Sequence, residues 1–206
     1  MGQIANRMTI EFICNIKDKI IHKKKNSIRN EYKQKRKQMS ASEVQQKSIS
    51  AAKIFLNSDI YKDAKHIMLY MPIGNETDTL LIKSSAVSDE KKIIFPVTNA
   101  VSGTITPIYA TDKTKFEKGA FSVMEPKSFD VADMSKIDVI VIPGIAFDKR
   151  GNRIGFGKGC YDKFLKNASA IKVGYCYNWQ LRKKILTDPN DIKMDYIITE
   201  NGINKC

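Results

Sequence analysis

Apolar residues are widely spaced in the first quarter of the chain and cluster into short runs further along. Between residues 23 and about 56 the sequence contains neither Gly nor Pro, and single apolar residues recur among Lys, Gln, Ser and Ala. This spacing predicts one or two helices. Ser40 followed by Glu43 has the pattern of a capping box, so the second helix is expected to begin there.

Short apolar runs that end at Pro, Gly or polar residues predict strands. These runs cover residues 66–71, 92–97, 105–109, 138–142, 171–175 and 196–199. Helices are expected over 76–87 and 161–166, whereas 147–159 is expected to be a loop and 110–135 shows no clear period. Strands that alternate with helices predict a layered α/β fold with a largely parallel sheet.

Length and composition restrict the class of protein. A chain of 206 residues suits one domain with its own core, and 42% hydrophobic against 28% charged residues is a globular composition. No apolar run reaches the ~18 residues of a membrane-spanning helix, which argues against an integral membrane protein. The four cysteines are scattered and there are only two histidines, so neither a zinc site nor a disulfide scaffold is expected. Free thiols, and a first segment without the pattern of a secretory signal, predict a cytoplasmic protein.

The net charge of +13 is unevenly distributed, because most of the excess lies in residues 1–60. A basic surface attracts nucleic acids, nucleotide phosphates and other polyanions, so charge alone identifies no partner. Apart from Tyr32, no aromatic residue is interleaved with the lysines of residues 23–37. This argues against RNA or ribosome binding as the main function.

The densest chemical signal is the segment 143–162, with the sequence PGIAFDKRGNRIGFGKGCYD. Its glycines let backbone N–H groups approach an anion closely, and its Arg and Lys side chains donate to phosphate oxygens. Ligands of open α/β sheets bind outside the carboxyl ends of the strands, where this segment must lie. The segment matches neither the GxxxxGK[ST] nor the GxGxxG pattern. The alternative interpretation is a glycine-rich turn with solvated lysines.

Four carboxylates are candidates for a magnesium site. Asp162 directly follows the glycine-rich segment, where a carboxylate beside bound phosphates commonly holds Mg²⁺. Asp148, Asp191 and Asp195 are further candidates, and spacing alone does not choose among them. Helix capping or a salt bridge is the alternative role for Asp162.

Two other features are ambiguous from the sequence. Glu76 follows the predicted strand 66–71, and a ligand role and a helix-capping role are equally supported there. Tyr177 and Trp179 follow the predicted strand 171–175, where they would either stack on a planar heterocycle or, by default, pack against other side chains.

These residues together resemble the 5-formyltetrahydrofolate cyclo-ligase family, also called 5,10-methenyltetrahydrofolate synthetases. The similarity runs from about residue 25 to 198, and its most specific part is 143–162. It implies a three-layer α/β/α sandwich around a mostly parallel sheet in a single domain of residues 23–206, with residues 1–22 as an extension of unknown role. It also implies ATP- and Mg²⁺-dependent conversion of 5-formyltetrahydrofolate to 5,10-methenyltetrahydrofolate, ADP and phosphate, through a phosphorylated formyl (iminophosphate) intermediate.

The resemblance also implies site residues. The nucleotide-binding set is Lys25, Arg29, Arg153, Ile154, Gly155, Phe156, Gly157, Lys158, Gly159, Cys160 and Tyr161. The folate-binding set is Leu69, Met71, Glu76, Phe156 and Tyr161, with Thr79 completing an E-x-x-T motif. Lys158, Arg153 and Tyr161 are the expected catalytic residues, and Asp162 and Asp191 are the expected metal ligands, with Asp195 as the alternative to Asp191.

One residue departs from the family pattern. Members usually carry an aromatic residue where Cys160 stands, so stacking at this point would depend on Tyr161 alone. The implied partners are ATP and 5-formyltetrahydrofolate, with no specific nucleic acid and no membrane, and the protein is expected to be a monomer. The alternative from this resemblance is a related α/β protein that binds a phosphorylated ligand without ligase activity.

Overall fold

A computed structural model describes the backbone of residues 2–206 and the side chains of residues 17–206. The α-helices are α1 Gly2–Lys37, α2 Ala41–Leu56, α3 Asp59–Asp63, α4 Leu80–Ser88 and α5 Cys160–Leu165. The first six strands are β1 His66–Met68, β2 Lys92–Thr98, β3 Ile105–Ala110, β4 Phe116–Lys118, β5 Met124–Pro126 and β6 Val139–Ile142. The others are β7 Ala146–Asp148, β8 Arg153–Ile154, β9 Ile171–Tyr175, β10 Leu181–Arg182, β11 Tyr196–Thr199 and β12 Gly202–Lys205.

The basic, Gly-free segment at the start of the chain forms two helices. Helix α1 is continuous from Gly2 to Lys37, so the expected boundary between residues 22 and 23 falls inside it. The part of that extension comprising residue 1 and the side chains of residues 2–16 lies outside the described residues. The predicted cap of α2 is present, since Ser40 Oγ accepts a hydrogen bond from Glu43 N at 3.2 Å.

Seven strands form the central sheet, in the order β12-β11-β9-β6-β1-β2-β3. The five middle strands are parallel, and the edge strands β12 and β3 are antiparallel to their neighbours. The chain runs outward from β1 to β2 and β3 on one side, and from β6 to β9 and β11 on the other. The boundary between β1 and β6 is therefore a topological switch point, where open α/β sheets bind ligands.

Alternating side chains of the strands pack against helices on both faces of the sheet. Ile67 lies in a core that includes Phe55 of α2 and Ile82 of α4. Its neighbour Met68 lies in the opposite core, together with Phe164 of α5. The expected three-layer α/β/α arrangement around a mostly parallel sheet is thus confirmed.

A smaller sheet lies beyond the carboxyl end of β6, in the order β10-β7-β8. Strands β7 and β8 form an antiparallel hairpin within the segment that the sequence analysis assigns to a loop. The residues of this hairpin alternate too briefly for a strand to be recognised from periodicity. Ile145, Ala146 and Ile154 form a separate core with Tyr32 of α1, so this sheet holds α1 against the main domain.

Other differences from the sequence-based prediction concern element ends and short elements. Strand β1 ends at Met68 and α4 begins only at Leu80, because side-chain hydrogen bonds fix residues 73–80 as a loop. Asp78 Oδ1 accepts from Leu80 N at 2.6 Å, and Thr79 Oγ1 donates to Tyr70 O at 2.7 Å. The antiparallel edge strand β12 was not predicted, since its four residues carry no distinct pattern. None of the helices in the described part of the chain has the length and apolar character that a membrane span requires.

Candidate active site

A cleft of about 1540 Å³ opens at the carboxyl ends of β1, β2 and β6. One wall is the side of α1 that carries Lys25 and Arg29, and the opposite wall includes Tyr70, Glu76 and Pro96. The glycine-rich segment that follows β8 forms the floor and continues into the wall of α1, and residues 188–192 complete the rim. The cleft therefore lies at the switch point of the sheet.

The β7–β8 hairpin brings Arg153 to the floor of this cleft. The Arg153 side chain is buried and donates to Pro143 O at 3.2 Å and to Asp162 Oδ1 at 3.0 Å. Its Nε atom is also buried and has no hydrogen-bond partner among the described residues. A buried N–H group in this state favours an incoming acceptor, because an unpaired buried donor costs about 1–3 kcal/mol.

Gly157 lets the loop after β8 approach helix α1 closely. Gly157 has φ +99°, and a Cβ added there would lie 3.3 Å from the Arg29 guanidinium carbon. Arg29 Nε also donates to Gly155 O at 2.8 Å. Gly159, with φ +68°, directly precedes α5. The loop and the helix thus form one wall, and Lys158 is exposed on it.

Opposite charges are paired along the rim. Lys25, although a lysine, is buried and contacts Asp188 at 2.8 Å and Asp191 at 2.5 Å. Burial by itself would raise the pKa of Asp188, but hydrogen bonding to Lys25 and its positive charge outweigh burial and lower that pKa. Asp162 accepts from Ile192 N at 3.4 Å, which places Asp162 beside the segment that carries Asp191.

The four candidate metal carboxylates lie in different environments. Asp162 and Asp191 line the cleft. Asp148 is fully buried outside the cleft. Asp195, directly before β11, accepts a hydrogen bond from Lys172 N at 2.7 Å. Residues 17–206 contain no group of three or more His, Cys, Asp or Glu side chains arranged to hold a metal. Two carboxylates fit Mg²⁺ nevertheless, since this ion commonly takes its other ligands from water and substrate phosphates.

Glu76 is a buried carboxylate on the other side of the cleft. Its oxygens contact Arg36 Nη1 at 3.2 Å and accept from Ile73 N at 3.0 Å. Burial raises the pKa of Glu76, and the Arg36 guanidinium opposes that rise. Glu76 does not cap α4, because its carboxylate is occupied by Ile73 N and Arg36 and the helix begins only after Thr79.

Aromatic and apolar side chains lie beside Glu76 in the cleft. Met71, Phe156 and Tyr161 line it, as the resemblance implies. Phe156 lies under two cations of α1, with Lys33 Nζ 5.2 Å and Arg36 Cζ 5.6 Å from its ring centroid. Leu69 does not line the cleft. It is fully buried in the core, since the chain leaves the sheet only after this residue.

The remaining predicted residues have distinct surroundings. Cys160 is half-buried and lines the cleft. Burial raises the pKa of the Tyr161 hydroxyl, against an opposing effect of Arg153, so the phenol is neutral at physiological pH. Tyr177 and Trp179 pack against each other with ring centroids 6.2 Å apart and do not line the cleft. For this pair the packing interpretation is confirmed.

Comparison with known proteins identifies the family. The sequence model of the 5-formyltetrahydrofolate cyclo-ligase family matches residues 21–200. The chain belongs to this family. The 5-formyltetrahydrofolate cyclo-ligase of Haemophilus influenzae is 30% identical over 178 residues, which cover 83% of this chain and 95% of that protein.

Two solved structures of family members share the fold. The NMR structure of Aquifex aeolicus 5,10-methenyltetrahydrofolate synthetase has a TM-score of 0.79 at 30% identity, covering 88% of this chain and 92% of that one. The Mycoplasma pneumoniae 5,10-methenyltetrahydrofolate synthetase has a TM-score of 0.69 at 26% identity, covering 85% and 98%. The predicted family, fold and class of enzyme are confirmed.

Two residues that pair with cleft-lining side chains of this cyclo-ligase family member are absent from the sequence-based site. Arg36 lies seven residues after Arg29, hence two helical turns further along the same side of α1, and this spacing could have indicated it. Asp188 is three residues before Asp191 and shares Lys25 with it. Its role had no sequence signal, because the partner is 163 residues away.

Proposed function

We propose that this protein converts 5-formyltetrahydrofolate to 5,10-methenyltetrahydrofolate, using ATP and Mg²⁺ and releasing ADP and phosphate. The observation that carries the proposal is that one cleft is lined both by the glycine-rich loop with its cations and by buried Glu76, which is paired with Arg36. A phosphate donor and a heterocyclic acceptor can therefore meet in the same cleft.

The nucleotide is proposed to bind along the wall formed by α1 and the glycine-rich loop. Lys25, Arg29, Arg153 and Lys158 supply positive charge to its phosphates, and Gly157 and Gly159 leave the backbone accessible. Asp162 and Asp191 are proposed to hold Mg²⁺ together with phosphate oxygens. Their present partners, Arg153 and Lys25, would then turn toward the phosphates.

The folate is proposed to bind on the side of Glu76. A carboxylate accepts hydrogen bonds from the N–H and amino groups along one edge of a pterin, and the positive charge of Arg36 favours the ionised form of Glu76 that this requires. Met71 and the faces of Phe156 and Tyr161 provide apolar contacts for the ring.

The chemistry needs positioning and charge neutralisation more than an acid or base of unusual pKa. The formyl oxygen attacks the γ-phosphorus, an O–P bond forms, and the bond from that phosphorus to the ADP oxygen breaks. N10 then attacks the formyl carbon, N10 loses its proton, and phosphate leaves with the formyl oxygen as the ring closes. Arg153 and Lys158 are proposed to stabilise the negative charge on the transferred group.

The test follows methenyltetrahydrofolate absorbance after mixing the protein with 5-formyltetrahydrofolate, ATP and Mg²⁺, with each component omitted in turn. We expect one ADP per methenyltetrahydrofolate and no product when any component is missing. Binding of both ligands without product would support the non-catalytic alternative. Strong, salt-sensitive RNA binding without ATP or folate binding would support the RNA-binding alternative. A cytoplasmic location and a monomeric state remain predictions.

A further inference from the structure

Asp148, at the end of β7, has its carboxylate enclosed in hydrogen-bond donors. Asp148 Oδ1 accepts from Arg150 N at 3.0 Å, from Asn152 N at 3.1 Å and from Asn152 Nδ2 at 3.1 Å. Asp148 Oδ2 accepts from Asn152 Nδ2 at 2.9 Å and from Ile185 N at 2.8 Å. The side chain is fully buried and does not line the cleft. No positively charged side chain in residues 17–206 forms an ion pair with Asp148, and its carboxylate is stable here because both oxygens accept from more than one N–H group.

These bonds connect two segments that are far apart in sequence. The donors at Arg150 and Asn152 shape the turn of the β7–β8 hairpin, and the next residue after that turn is Arg153. The donor at Ile185 belongs to the segment after β10, three residues before Asp188. Asp148 therefore accepts hydrogen bonds both from the segment that positions Arg153 and from the segment that carries Asp188 and Asp191.

The second segment is also fixed at its far end by the same hairpin. Met194 N donates to Gly151 O at 2.8 Å, and Gly151 N donates to Asp148 O at 3.0 Å. Residues 186–193, which include Asp188 and Asp191, thus span between two anchors on one hairpin turn. The positions of Arg153, Asp188 and Asp191 therefore all depend on the same β7–β8 hairpin turn.

We infer that Asp148 is a positioning residue for nucleotide and metal binding, which sets the Arg153 guanidinium and the Asp188–Asp191 rim at a fixed relative position. This inference rests on the proposed function. It assigns a specific role to a carboxylate that touches no ligand, and it predicts that the nucleotide side of the cleft depends on Asp148 while the folate side does not. The folate side is fixed separately, by Asn75 Nδ2 donating to Arg36 O and to Met39 O, each at 3.0 Å.

The test variant is Asp148→Asn, which keeps the shape but turns one acceptor oxygen into a donor. Either orientation of the amide then directs an NH₂ group at N–H donors, so the connection between the two segments is broken and both become less constrained. We expect KM for MgATP to rise about tenfold or more, because displacements near 1 Å in a reacting site can cost up to about a hundredfold. KM for 5-formyltetrahydrofolate is expected to stay within about twofold of the wild type.

The matched control is Asp138→Asn. Asp138 is also a carboxylate that accepts backbone N–H groups, from Lys65 and His66 at 2.8 Å each, but it lies at the amino ends of the strands, at the opposite end of the sheet from the cleft. Both KM values should be unchanged in this control. Hydrogen exchange adds a measurement that needs no activity. The amides of residues 149–155 and 185–194 should both exchange faster in Asp148→Asn, and neither should do so in Asp138→Asn.

The outcomes separate the inference from the proposed function. An inactive wild-type protein contradicts the proposed function, while faster exchange in both segments would still support the connection through Asp148. An active wild type in which Asp148→Asn leaves KM for MgATP unchanged, or raises both KM values equally, overturns the inference. If Asp148→Asn does not fold, Asn152→Ala replaces it. That variant removes only the two side-chain donations, and should raise KM for MgATP by about two- to fivefold without changing KM for the folate.

Discussion

Single cations and carboxylates in this cleft differ in whether they already have partners. Lys25 and Arg153 are buried and paired with carboxylates, whereas Lys158 is exposed on the glycine-rich loop. A ligand therefore meets Lys158 without first separating an ion pair. This makes Lys158 the cation whose removal should affect the phosphates most directly and the fold least.

Lys158→Ala is expected to lower kcat/KM for ATP at least about tenfold while leaving the melting temperature unchanged, because a positive charge aimed at the transferred phosphoryl group is lost. Steady-state kinetics and thermal unfolding measure the two quantities. Lys149→Ala is the control, since Lys149 is an exposed lysine of the β7–β8 turn that does not line the cleft. Wild-type kinetics in Lys158→Ala would contradict the proposed phosphate site.

Glu76 gives the site a predictable dependence on pH. Burial raises the pKa of Glu76 above its ordinary 4.5, and Arg36 limits that rise. We expect KM for the folate to increase as pH falls through this raised pKa, because the protonated acid accepts fewer hydrogen bonds. In Arg36→Met the increase should begin at a higher pH, and Arg36→Lys should partly restore the wild-type profile. An unchanged profile in Arg36→Met would show that Glu76 does not govern folate binding.

Stability provides the control for this titration. Between pH 4.5 and the raised pKa the folded protein binds more protons at Glu76 than the unfolded chain does. The contribution of Glu76 to the free energy of unfolding therefore decreases as pH rises through this range. Glu76→Gln should remove that decrease, which chemical denaturation at several pH values would measure.

At the scale of elements, the β7–β8 hairpin contacts another part of the chain through a glycine. Gly151 has φ +82°, and a Cβ added there would lie 2.3 Å from Met194 O. Gly74 is also left-handed, with φ +56°, but nothing lies within 4 Å of its added Cβ. The two glycines therefore differ in surrounding space rather than in handedness.

Gly151→Ala is expected to lower the free energy of unfolding by more than Gly74→Ala does. Gly74→Ala should lower the free energy of unfolding by about 1–2 kcal/mol through left-handed backbone strain alone. In Gly151→Ala the hairpin turn and Met194 must also move apart. Equilibrium urea unfolding of both variants compares them. Equal losses would mean that the contact between Gly151 and Met194 adjusts without cost.

Helix α5 begins next to the glycine-rich loop and carries Asp162 in its first turn. Asp162→Asn should reduce activity, with partial recovery at high Mg²⁺ concentration, because one negative ligand is lost and the geometry is retained. Asp195→Asn, outside the cleft, is the control. A Mg²⁺ titration in which the two variants behave alike would assign Asp162 a purely structural role as the partner of Arg153.

The sequence indicated the elements whose patterns are local and missed those that depend on distant partners. The run 138–142 and the cap at Ser40 were predictable because each is determined by adjacent residues. Strand β8 is only two residues long and exists because β7 pairs with it. Likewise, the glycine-rich segment indicated a phosphate site, but the pairing of Lys25 with Asp188 depends on the folded chain bringing the two together.

At the scale of the whole molecule, helix α1 connects the residues that precede the family match at 21–200 with the cleft. Because the family resemblance begins only at about residue 25, the sequence predicts little effect on activity from deleting residues 1–22. However, Ile21 is buried, and Asp18, Ile21 and His22 line the cleft one or two turns before Lys25. Deletion of residues 1–22 is therefore expected to raise KM for MgATP several-fold, by opening the wall of the cleft.

The control for this deletion is a chain that begins at residue 17, which keeps every cleft-lining residue of α1 in the described part of the molecule. Its kinetics should match those of the full chain. If both truncated chains behave like the full chain, the stretch before Lys25 makes no contribution to nucleotide binding, and the expectation drawn from the sequence holds.

The single helix that carries Lys25, Arg29 and Arg36 also constrains how this protein can vary in length. Arg29 and Arg36 are seven residues apart, about two turns, so both point toward the same side. Inserting one residue between them would rotate Arg36 by about 100° relative to Arg29 and move it about 1.5 Å along the axis. Arg36 could then no longer face Glu76 while Arg29 contacts Gly155. Insertions and deletions should therefore be tolerated in surface loops such as 111–115 but not between these two arginines.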